Sequence, residues 1–215
     1  MSRPHALATS LLIAACAALP VAGHAQASGD QQTIRVRGVI ERVETNSLTV
    51  KDRSGETVTL VRPADMGVSE VVPLSMADIK PNSFVGAGAI PQPDGTQRAL
   101  EVVVFPDAAR GTGEGFRPWD FMPNSTMTNA TVATLSEAPS SVPGGGRKMV
   151  LRYKDGEQTV IVPPGTPIVT FKPGNADQQA LVVPGAKVVI TAQVKEGKPT
   201  ALRMLVGRNG FAPPL

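Results

Sequence analysis

Two hydrophobic patterns divide the chain. Residues 6–22 (ALATSLLIAACAALPVA) form a long, almost uninterrupted apolar run. From residue 33 onward, apolar and polar residues alternate in short segments, the pattern of half-buried β-strands. Ile34 and Val36 face one way and Arg35 and Arg37 the other; the phase then breaks, which predicts a bulge at Gly38 within a strand over 33–43. Leu48 and Val50 against Thr49 and Lys51 predict a strand over 48–52. A turn at Arg53-Ser54-Gly55 leads into a third over 56–62. Two more follow over 83–90 and 98–105, joined through Pro93-Asp94-Gly95. Further strands are expected over 130–136, 148–154, 158–162, 187–194 and 200–206.

The second set matches the first because the chain repeats itself. Ser54-Gly55-Glu56-Thr57-Val58-Thr59-Leu60-Val61 aligns with Asp155-Gly156-Glu157-Gln158-Thr159-Val160-Ile161-Val162, 101 positions on. Asp94-Gly95 through Ala99-Leu100 aligns with Glu196-Gly197 through Ala201-Leu202 at an offset of 102. Two copies are expected, over 33–105 and 129–207, with a linker over 106–128 and a tail over 208–215. In the first copy, Ser75 and Asp78 form a capping-box pattern that predicts one helical turn; residues 175–181 are its counterpart. Three strands, a short helical turn between strands three and four, then two strands is the order of an OB-type barrel. The expected fold is all-β: two tandem, small, five-stranded OB-like barrels. A small SH3-like barrel or a sandwich half is the alternative.

The apolar run fixes the expected compartment. Arg3 precedes it, and the small-residue patterns Gly23-His24-Ala25 and Ala25-Gln26-Ala27 follow, so residues 1–27 read as a secretory signal peptide. The protein is then periplasmic or secreted. Ile13-Ala14-Ala15-Cys16 also fits a lipobox, which would make the protein a lipoprotein through Cys16. Cleavage after Ala25 removes Cys16, His5 and His24, the only Cys and His residues of the sequence. Without them the mature chain has no disulfide, no Cys nucleophile, no His base and no Cys/His zinc site. No other stretch is apolar enough to span a bilayer as a helix. The 21 Lys and Arg and 18 Asp and Glu are interspersed, with no basic run of the kind a nucleic-acid footprint needs.

Several stretches together resemble a known group. They are Gly38-Val39-Ile40, Leu48-Thr49-Val50-Lys51, Asp78 through Gly86 (DIKPNSFVG), Arg110 through Asp120 (RGTGEGFRPWD) and Ser125 through Val132 (STMTNATV). Nearly all of the mature chain is similar to a bacterial family of exported proteins of unknown function with OB-like barrel repeats. The resemblance implies a fold and a compartment and no activity. Members often carry His where Phe116 stands here, a departure that weakens a metal reading.

The linker over 106–128 is the expected site of function, since loops on rigid scaffolds often carry it. Trp119, the single Trp, flanked by Arg117 and Asp120, could form a binding platform. Equally, Trp119 could plug the seam between the barrels while Arg117 pairs with a carboxylate. Glu114 completes the candidate ligand-binding set. The Gly111-Thr112-Gly113-Glu114-Gly115 stretch lacks the Lys-Ser/Thr of a phosphate loop. No catalytic residue, cofactor or metal is favoured. Asp107 with Glu114 and Asp120 for a hard cation, and Met122 and Met127 for a soft one, are the weak metal candidates. These features point to a non-catalytic, exported binding or assembly module of the cell envelope, acting on an unidentified envelope protein or polymer as a monomer or weak oligomer. The alternatives are an envelope metal-handling accessory binding through carboxylates or Met, and a carboxylate-based hydrolase.

Overall fold

The computed structural model describes residues 32–214, apart from 143, 144, 173, 175 and 196. The expected signal peptide and Cys16 lie outside the described residues. The fold is all-β. Thirteen strands join one network of pairing: β1 (Thr33–Val43), β2 (Ser47–Asp52), β3 (Thr57–Val61), β4 (Gly67–Leu74), β5 (Phe84–Pro91), β6 (Gln97–Val104), β7 (Gly115–Pro118), β8 (Thr126–Glu137), β9 (Arg147–Tyr153), β10 (Gly156–Val162), β11 (Ile168–Lys172), β12 (Lys187–Lys195) and β13 (Lys198–Gly207). Ten of these overlap the strands expected from alternation; β4, β7 and β11 are additional. A 3-10 turn at Met76–Asp78 forms where the capping-box pattern predicts it, with Ser75 at its N-cap and the Ser75 amide donating to Asp78 Oδ2 at 2.7 Å. The counterpart is a single helical turn at Ala176–Gln179. No helix among the described residues is long and apolar enough to cross a membrane.

The pairing differs from the expected tandem arrangement. β1, β2 and β3 pair in series, but β1's other neighbour is β12, and β12 pairs with β13. Thr200 of β13 lies beside Val61 of β3 and closes this circuit of five strands. The second circuit runs β10–β9–β8–β5–β6 and closes where Val160 and Ile161 meet Gln97 and Arg98. Each copy of the repeat therefore gives three strands to one circuit and two to the other. The cause is β4 and β11. An extended strand of eight residues covers roughly 26 Å, so β4 carries the chain across instead of turning it back. β4 and β11 pair antiparallel with each other, Glu70 opposite Lys172 and Val71 opposite Phe171. They bridge the circuits through β13 and β6.

Burial follows the circuits. Val36, Ile40, Leu48, Leu60, Ile190 and Met204 anchor one apolar cluster, and Val85, Ala87, Val102, Met149, Leu151 and Val160 a second. Val71, Val103 and Val169 form a third beside the β4–β11 crossing, and Phe211 of the tail packs onto it. The phase break in β1 falls at Glu41, where the β1–β2 register shifts, not at Gly38. Gly38 serves another purpose: a Cβ there would collide with the Lys51 carbonyl of the neighbouring strand.

Candidate functional site

Matched bulges prepare the site. In β5–β6 the register slips at Leu100, between the Gly88–Glu101 and Ala89–Ala99 pairs. In β12–β13 it slips at Leu202, between Thr191–Arg203 and Ala192–Ala201. Directly paired residues share a sheet face, so Glu101 and Gly88 point the same way. That side is opposite the apolar cluster holding Ala87, Ala99 and Val102.

The linker covers this face. Arg110 donates through Nη2 to the Asn82 carbonyl and pairs with Asp107 at 3.2 Å. Asn129 donates to the Thr112 carbonyl, and the Lys154 amide donates to Glu114 Oε1. β7 pairs along the start of β8. A loop over 119–125 then closes on itself: the Trp119 amide donates to the Ser125 carbonyl, and the Ser125 hydroxyl lies 2.7 Å from the Met122 carbonyl. The left-handed backbone of Asn124, φ 63°, makes the turn.

This loop presents Trp119 and Phe121 as a stack, with ring centroids 4.9 Å apart and planes 15° from parallel. Trp119 fills the space that a side chain at position 88 would need; a Cβ built there would lie 2.7 Å from Cη2 of the indole. The Arg37 and Arg53 guanidinium groups lie 5.7 and 5.4 Å from the centre of Phe121. Asp120 pairs with Arg35 at 2.9 Å and Arg37 at 3.1 Å. Burial works against its charge, and hydrogen bonds from Arg37 and Arg35 overcome it, holding the carboxyl below its usual range.

Glu101 is 2% exposed, and neither carboxyl oxygen has a hydrogen-bond partner. Burial raises its pKa to about 8; Arg37 and Arg53 pull the other way without offsetting it. Orphaned buried polar groups are rare, and strongly shifted ones cluster at functional sites. Burial also lowers the pKa of Arg53 and of Arg117, helped in the first by Arg37 and in the second by Arg35. Four arginines thus crowd one short segment. By contrast Glu70, 5% exposed, receives two hydrogen bonds from Arg208 and is held below the usual range.

Of the expected site residues, Trp119 and Asp120 meet at this junction, with Arg117 near Arg35. Arg117 donates to the Gly113 carbonyl, and the seam carboxylate, Asp120, is held by Arg35 and Arg37. Glu114 is tied to β9's end and lines a surface hollow of about 460 Å³ with Asn82, Arg152 and Tyr153. Met122 is 39% exposed and Met127 is buried. Among the described residues, no three of His, Cys, Asp and Glu gather as a metal-holding group. Sequence reasoning passed over Arg35, Arg37, Arg53, Phe121 and Glu101. Glu101 was the readable signal: a lone charge in the apolar run Ala99 through Phe105. No family model, curated protein or solved structure matches this chain.

Proposed function

We propose that the protein is an exported, non-catalytic binding or assembly module of the cell envelope, and that it recognises an anionic partner at the junction around Trp119 and Asp120. The two circuits are read as small OB-like barrels that have exchanged their last two strands. One observation carries the choice of partner. Arg35, Arg37, Arg53 and Arg117 crowd the loop over 119–125, whose one carboxylate, Asp120, is already paired with Arg35 and Arg37. Crowded like charges of this kind raise the local potential and favour an anion. Arginine suits carboxylate and phosphate oxygens, which accept its paired donors. The aromatic stack is committed to holding the loop, between Gly88 on one side and the arginines on the other. Charge, not stacking, is therefore the means of recognition.

The test is calorimetric titration of the protein with polyglutamate and with polyphosphate at several salt concentrations. Binding is expected to be saturable and to weaken as salt rises. Arg117→Ala is expected to weaken it about tenfold, the equivalent of ~1.4 kcal/mol. Binding of neither probe, or equal binding by the variant, overturns this reading.

A further inference from the structure

We propose that Glu101 is a proton-operated latch: protonated, it lets the Trp119–Phe121 loop close over β5; ionised, it draws Arg53 off Phe121 and releases the loop. This rests on the junction's geometry and is independent of the partner's identity.

Three observations converge on it. Both oxygens of Glu101 are buried and unpartnered, so the ionised form has no local hydrogen bond to receive it. The charged groups facing it are Arg37 on β1 and Arg53 in the β2–β3 turn. Asp120, from the loop, is already held by Arg35 and Arg37, and β5 opposes Glu101 with Gly88, which has no side chain. The two arginines differ in freedom. Arg37 is tied to Asp120 and half-buried. Arg53 keeps an exposed surface despite its partial desolvation, rests on Phe121 and forms no ion pair among the described residues. A charge appearing on Glu101 therefore pulls on Arg53 first.

The consequence follows from the stack. Arg53 and Arg37 cap Phe121, Phe121 covers Trp119, and Trp119 covers Gly88. Removing the cap leaves Phe121 without one of its two cations and weakens the hold on the loop. The raised pKa of Glu101, about 8, places the transition just above neutrality. Closing the loop and binding a proton are then one linked event.

Trp119 is the single Trp of the sequence, so intrinsic fluorescence reads the loop directly. The experiment follows its emission in the full chain between pH 5 and 9.5. Wild type is expected to show a red shift with a midpoint near 8. Glu101→Gln is expected to stay blue-shifted throughout. Arg53→Ala is expected to be red-shifted at every pH, with no transition. A flat wild-type titration overturns the latch, as does a transition that survives in Glu101→Gln or in Arg53→Ala. The two variants are independent, so a folding failure in one leaves the other decisive.

Discussion

Glu101 and Arg203 hold the same place in the two copies of the repeat, each following a bulged Leu and each paired across to the preceding strand. Arg203 is exposed, and its Nε donates to the Thr191 hydroxyl at 3.2 Å. Glu101 is buried, without a partner, opposite a glycine. The backbone registers agree, so the difference is not in the fold of the repeat. It comes from the segment between the copies. The linker after β6 folds back over the Gly88–Glu101 pair, and Trp119 occupies the room that Thr191 fills with its own side chain in the other copy. One repeat unit thus gives a plain outer face in one circuit and a covered, charged junction in the other.

Making the covered face resemble the plain one should have the largest effect. Gly88→Thr copies the residue at the matching position, and its Cβ would run into the indole of Trp119. Overpacking of this kind costs about 1–3 kcal/mol. Thermal unfolding of the variant should occur several degrees lower, with Trp119 emission red-shifted in the native state. An unchanged melting temperature and emission would mean that the linker does not rest on β5.

The second contrast is in pH. Glu101 binds its proton more tightly folded than unfolded. Its contribution is therefore complete below the ordinary Glu value of 4.5, drains away as pH rises, and is gone above about 8. The other shifted carboxyls among the described residues have the opposite sense: Glu70, Asp78 and Asp120, for example, are held low, so they add stability above their unfolded values and lose it in acid. Melting temperature should fall between pH 5 and 9 in wild type and fall less in Glu101→Gln. Equal slopes would remove Glu101 from the balance.

How far these features were legible depended on the range of the interaction that makes them. Strands such as β1 and β12 announce themselves by alternation, which is local. The repeat and the helical turn at Ser75–Asp78 were local too. β4 was not, since Val68, Val71 and Val72 lie in a segment rich in Gly, Ser and Pro that reads as loop. Its pairing with β11 sends the strands of each copy to different circuits, and nothing within either segment encodes that choice. At the site, Trp119 and Asp120 stood out by rarity and context. Arg35 and Arg37 looked like an ordinary solvated strand face, and Arg53 like a turn residue. Their meeting with Glu101 joins β1, the β2–β3 turn, β6 and the linker, a distance in sequence that no spacing rule spans.

The smallest effect should come from Arg203 itself. Its side chain is exposed, and a solvent-exposed hydrogen bond such as the one to Thr191 replaces one to water, so the net contribution is small. Arg203→Ala should change stability by no more than about 0.5 kcal/mol and leave Trp119 emission and its pH dependence untouched. Arg203→Glu sharpens the contrast further, because it places the same carboxylate at the same register without the linker above it. That carboxyl should titrate in the ordinary Glu range, near 4.5, as followed by carboxyl NMR shifts. A high value there would assign the shift of Glu101 to the repeat's strand geometry. A normal value assigns it to the cover supplied by Trp119, and makes the linker the part that turns a repeated structural element into a site.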